Sequence, residues 1–158
     1  MSLEHFHEAQ ASRSAGYDTA LAEIRRGRKT SHWMWYIFPQ LSGLGRSAMA
    51  EKYAIRDLAE ACDYLRDPLL RARYEEITAA VSNQLARGIA LEDLMGSHID
   101  ALKLVSSLTL FRAAAQKLAG EEPTFDSIAH LCELSLSQTA ARGELPCAYT
   151  LTRCGGSH

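Results

Sequence analysis

The sequence predicts an all-α protein, a single compact domain of several helices, and three observations predict it. Apolar residues recur every three or four positions through nearly the whole chain, the spacing of a helix with one buried face. Glycines, prolines and short polar side chains fall where such helices should start and stop. The composition, 47% hydrophobic and 23% charged over 158 residues, suits one core of ordinary size.

Tyr17, Leu21 and Ile24 recur at i, i+4 and i+7, and Gly27 is a natural stop. A second helix should open at Asp57, with Glu60 three residues on completing a capping box, and carry Leu58, Cys62 and Leu65. The segment "RDPLLRARYEEITAAVSNQLARG" is the clearest. Asp67 suits the N-cap and Pro68 the first helical position, and Leu70, Tyr74, Ile77, Val81 and Leu85 form one stripe before Gly88 ends it. A short turn is expected at Leu91–Met95 and Gly96. A long helix should then run from about Ser97 to Ala119, burying Leu104, Leu108, Phe111, Ala115 and Leu118. Gly120 and Pro123 punctuate, Thr124 is expected to cap a shorter helix bearing Ile128, Leu131 and Cys132, and the tail after Ala141 reads as irregular.

No repeat, low-complexity tract or linker divides the chain, so the expected domain is 1–158. Gly156-Ser157-His158 resembles the start of a cloning linker and is given no functional weight. A net charge of -2 and a pI near 6.3 argue against nucleic acid or an anionic membrane as a global partner. No apolar run approaches the ~20 residues needed to span a bilayer. The start "MSLEHFHEAQ" is acidic and polar where a signal peptide is basic and then apolar, so the expected location is cytoplasmic. Cys62, Cys132, Cys147 and Cys154 show no metal-like spacing and are expected to be free thiols.

The densest stretch is "RRGRKTSHWMWYIFPQLSGLG", residues 25–45. Residues 32–38 fit neither the helical nor the strand period, and so much aromatic surface must be largely buried. Pro39 should end the segment by holding Phe38 extended, and the glycines after it permit a tight turn. Arg25 and Arg26 fall in the last turn of a helix, where cations offset the dipole. Arg28 and Lys29 follow Gly27 and have no such structural reason, which makes them the better binding candidates.

A second polar cluster lies in "SHIDALKLVSSLTLF", where Asp100, Lys103 and Ser107 fall at i, i+3 and i+7. Ser97 and Asp100 fit a capping box, and Lys103 can pair with Asp100. Ser106, Ser107 and Thr109 each need a partner if buried, so a polar line on a core-seeking helix suggests a pocket wall. Joined together, Arg28, Lys29 and His32, with Trp33 or Trp35 as a stacking face, would meet Asp100, Lys103 and Ser107 across a cleft. Cations suit phosphate or carboxylate and an aromatic face suits a base, so the expected ligand is an anionic, nucleotide-like or ADP-ribose-like small molecule. If chemistry occurs there, His32 or Asp100 would be the general base.

Three segments carry a family resemblance: "GRKTSHWMWYIFPQLSGLG", "YAIRDLAEACDYLRDP" and "DALKLVSSLTLF". They resemble a small, all-helical bacterial family of unknown function whose members are often labelled calpastatin. The resemblance runs from roughly Ala9-Gln10 to Phe111 and implies a helical fold without an assigned activity. The calpastatin label is at odds with the composition, because calpain inhibitors of that name are disordered and poor in apolar residues. A distant likeness to helical proteins that process NAD and ADP-ribose adds to the ligand expectation, though no motif matches residue by residue.

Two other classes compete. A protein partner could dock on Arg25–Lys29 and an exposed aromatic, which predicts a contiguous apolar surface patch. Single-stranded nucleic acid would use the same residues for stacking, against the acidic overall charge. No metal site is expected: His5 and His7 stand at i, i+2 near an end expected to be mobile, and His98 and His130 have no ligand-spaced neighbour. No cofactor is expected either, since "GLG" lacks the preceding strand and third glycine of a dinucleotide fingerprint. Cys62 and Cys132 fall on apolar faces, where a thiol is usually inert.

Overall fold

The structure, a computed structural model, describes residues 3–154; the linker-like Gly156-Ser157-His158 lies outside them. The chain folds into helices α1 (Glu4–Gln10), α2 (Tyr17–Arg26), α3 (Met34–Ile37), α4 (Ala48–Lys52) and α5 (Leu58–Arg66), followed by α6 (Pro68–Ala86), α7 (Leu91–Met95), α8 (His98–Leu118), α9 (Pro123–Ala141) and α10 (Ala148–Cys154). Among the described residues none of these is long and apolar enough to cross a membrane.

The capping residues anticipated from the sequence hold their helices. Asp57 accepts from the Glu60 N–H at 2.9 Å, Asp67 from Leu69 and Leu70 at 3.0 and 3.1 Å, and Ser97 from Asp100 at 3.1 Å. Pro68 opens α6, and Gly27 and Gly88 take the left-handed conformation past the ends of α2 and α6. Helix α8 is the centre of the fold, packed against α5, α7, α9 and α10. Surrounded on most sides, it buries every residue from Leu104 to Ala115, which explains why its apolar stripe is so broad. Helix α6 packs on α2 and α9. The core where α5, α6 and α8 meet is aromatic: the Tyr74 and Phe111 rings lie 4.5 Å apart, Tyr64 and Phe111 5.0 Å, and Phe38 and Tyr74 5.7 Å.

Five expectations about elements change. The polar N-terminus forms α1 because Phe6 and Gln10 face the core, and Gln10 donates to the Tyr36 carbonyl and the Tyr64 hydroxyl. The turn at Leu91–Met95 closes into a helix that buries Leu91, Leu94 and Met95. Helix α9 is shorter than α8, as expected, but it starts at Pro123 instead of after Thr124, and it runs as far as Ala141 because Ser135, Leu136 and Thr139 continue its buried face. The tail is irregular only to Cys147, after which α10 packs on α8. Residues 34–37 make one helical turn that ends before Pro39.

The segment after Pro39 is tied back by a bridge between Leu41 and Ile55, with the Ile55 N–H donating to the Gln40 carbonyl at 2.9 Å. This fixes Gln40 beside α8. Near the other end of the site, Gly96 has φ +85°, and a Cβ there would stand 2.8 Å from the Lys29 carbonyl oxygen. The chain crossing at this point is too close for any other residue.

Candidate functional site

Glu23 organises the segment that carries most of the predicted site. It lies on the buried face of α2, and its carboxylate accepts from the Thr30 and Ser31 N–H groups at 2.8 and 2.9 Å, from the Ser31 hydroxyl, and from the Trp33 indole N–H at 2.9 Å. Burial alone would raise its pKa, but these four donors outweigh it and hold the group at about 2. The chain after Gly27 is thereby folded back over the end of α2, and the Lys29 N–H donates to the Leu94 carbonyl at 2.7 Å.

Lys29 is turned inward as a result. Its ammonium sits 5.1 Å from the Trp33 ring centre and 2.9 Å from Oδ2 of Asp100, on the first turn of α8. The Lys103 Nζ stands 3.8 Å from the other oxygen of Asp100 and 5.4 Å from the Trp35 ring centre. Two cations therefore share one carboxylate. The shorter contact and the deeper burial both belong to Lys29, with its side chain 7% exposed against 25% for Lys103.

Lys103 lies where two hollows meet. Beneath Trp35, a cleft of about 10 Å³ lined also by Phe38, Tyr53 and Gln40 has room for a single water at most. Beyond Lys103 and Gln40 opens a groove of about 380 Å³. Its walls are Leu44, Ile99, Leu102, Val105 and Leu145, and Ser106 and Cys147 supply the other polar groups. Ile99, Leu102 and Leu145 are 66%, 41% and 71% exposed, a rare concentration for one place on a surface whose large apolar residues are otherwise scattered.

The predicted site residues divide three ways. Lys29 meets Asp100, and Trp35 meets Lys103, so the two distant segments do come together. Trp33 and Ser107 are wholly buried. Trp33 spends its N–H on Glu23, and Ser107 bonds the Tyr74 hydroxyl at 2.9 Å, so neither has a face open to a guest. Arg28 and His32 are exposed and their side chains have no ion pair or hydrogen bond among the described residues; neither lines the groove. The hydroxyls expected to face a pocket are satisfied within the helices: Ser106 donates to the Leu102 carbonyl and Thr109 to the Val105 carbonyl.

The apolar walls of the groove (Leu44, Ile99, Leu102, Val105 and Leu145) and Gln40 carry no binding signal in the sequence, and two chemically distinctive residues escape it as well. Glu23 was signalled only by an acid placed between the buried Leu21 and Ile24. Cys147, in the irregular tail, had no signal. Its N–H donates to Thr109 Oγ1 at 3.0 Å, and its sulfur accepts from the Thr150 hydroxyl at 3.4 Å. Burial pushes its pKa up, yet the Thr150 hydroxyl, the nearby Ser106 side chain and the backbone of Thr150 and Tyr149 leave it lowered overall. Cys132, by contrast, is pushed up to about 12 by burial and is inert.

This chain belongs to the family described as Protein of unknown function (DUF1810), whose profile matches residues 1–132, which bears out the resemblance carried by the HWMW-to-GLG block. It is similar to the conserved hypothetical protein Rv1873 from Mycobacterium tuberculosis, known from a crystal structure. The two are 33% identical with a TM-score of 0.74, over 98% of this chain and 97% of that one. No curated protein matches the chain.

Proposed function

We propose that this family member binds a small amphipathic anion in the groove between Gln40, α8 and the tail before α10. The apolar body would lie against Ile99, Leu102, Val105 and Leu145, and a single negative charge would face Lys103. The observation that carries this reading is the shared carboxylate. Asp100 neutralises Lys29 at 2.9 Å, so the ammonium of Lys103 is the surplus charge of the cluster, held by the Trp35 ring at the head of the groove. A partly desolvated cation beside an apolar wall favours one oxyanion with an attached hydrocarbon or aromatic body.

A nucleotide is a poorer fit to the same groove. The walls are aliphatic, the cleft at Trp35 is too small for a base, and Arg28 and His32 lie elsewhere. Thermal-shift measurements with octanoate, indoleacetate and AMP, on the wild type and on Lys103→Met, test the reading. Octanoate or indoleacetate should stabilise the wild type and not the variant. If AMP stabilises the wild type while neither of the other two does, the amphipathic reading fails.

A second reading, a docking surface for a protein partner, is favoured by the exposure of Ile99 and Leu145 at the groove's edge. An Ile99→Asp/Leu145→Asp variant separates the two. Loss of a partner without any small-molecule binding by the wild type would favour docking.

A further inference from the structure

A different groove lies between the end of α2 and the last turns of α6. It has a volume of about 330 Å³, and Arg25, Arg87 and one acid, Glu76, stand on it with Asn83 and Gln84, over a floor that includes Ala79 and Ala80. From this arrangement we infer a second ligand site, for a phosphate or carboxylate that also carries a hydroxyl group, of the class of the polyol phosphates and sugar acids.

Gln84 is the centre of the argument. Its side chain is 5% exposed, and its Nε2 donates to the carbonyl oxygens of Ile24 and Arg25 at 3.0 and 2.9 Å, which closes the last turn of α2. Those two bonds fix the amide plane, so Oε1 cannot turn away. Oε1 is buried and receives no donor among the described residues. A buried carbonyl left without a donor costs stability, and a ligand O–H is the group that would satisfy it.

The charges complete the specificity. Arg87 is exposed and has no carboxylate within ion-pair distance among the described residues. Arg25 reaches Glu76 only at 3.7 Å, with both side chains at least half exposed, a contact that contributes little. The other oxygen of Glu76 is engaged by the Tyr17 hydroxyl at 2.6 Å. Two guanidinium groups against one occupied carboxylate leave a net positive rim, and their fork geometry suits a phosphate or carboxylate. Arginines at helix ends also offset the dipole, but that role gives no reason for an orphaned amide oxygen on a residue of the same groove.

Titration calorimetry of the full chain with glycerol phosphate, sulfate (an oxyanion without an O–H) and glycerol tests the inference. Glycerol phosphate should bind about tenfold more tightly than sulfate, and glycerol alone should not bind. Arg87→Gln, a change at an exposed side chain, should weaken glycerol phosphate about tenfold. The Gln84 side-chain amide resonances should shift with glycerol phosphate and stay put with sulfate. Equal affinity for the two anions, no binding of either, or an Arg87→Gln variant that binds as well as the wild type would overturn it.

Discussion

The Lys29 ammonium and the Asp100 carboxylate meet at 2.9 Å, with both side chains largely out of water, and this contact joins the two segments that make the candidate site. Removing one partner of such a pair leaves the other as an uncompensated buried charge. Asp100→Ala should therefore cost about 3–5 kcal/mol, whereas Lys29→Met combined with Asp100→Leu should cost clearly less. Urea denaturation of the single and double variants checks the difference.

Glu23 makes the fold sensitive to acid. Its folded pKa of about 2 lies below the usual 4.5, so its contribution is full above pH 4.5 and is lost as the pH falls toward 2. The gap is worth about 3 kcal/mol. Glu23→Gln should remove that part of the pH dependence and destabilise the protein at neutral pH by a similar amount. Chemical denaturation between pH 2 and pH 7 measures both (a range chosen to bracket the two values of ~2 and ~4.5).

Ser107 is a core residue. Ser107→Ala leaves the buried Tyr74 hydroxyl without its partner and should cost about 1–3 kcal/mol, while affinity for any groove ligand stays unchanged. Arg28→Ala and His32→Ala should likewise leave that affinity alone, since neither side chain lines the groove.

Much of this molecule is legible in its sequence because its signals are local. Asp57, Asp67 and Ser97 cap helices through N–H groups two or three residues away, and the stripe from Leu70 to Leu85 needs only helical geometry. Of the expected meeting between unexplained cations and an acid with hydroxyls, the Lys29–Asp100 contact is present, whereas Arg28 lies elsewhere and Ser107 is used inside the core. What was hidden is long-range. Helix α1 is held by Gln10 reaching Tyr36 and Tyr64, Ser107 is claimed by Tyr74, and Cys147 joins the groove only because α10 returns to α8. Arg25, which a helix dipole explains well enough, stands on a groove with Arg87 that no local pattern announces.

Gly96 holds a crossing that the site depends on. Gly96→Ala would strain a left-handed backbone and push a methyl group against the Lys29 carbonyl, at a cost of about 1–2 kcal/mol. Thermal denaturation should show the loss, and binding in the Lys103 groove should weaken with it because Lys29 no longer sits squarely on Asp100.

The most direct test of the surplus charge on Lys103 is calorimetric titration of octanoate against octanol, which share a hydrocarbon body and differ in charge. The wild type should bind octanoate about tenfold more tightly, and Lys103→Met should bind the two alike. A wild type that holds the alcohol as tightly as the carboxylate would contradict the proposed role of Lys103.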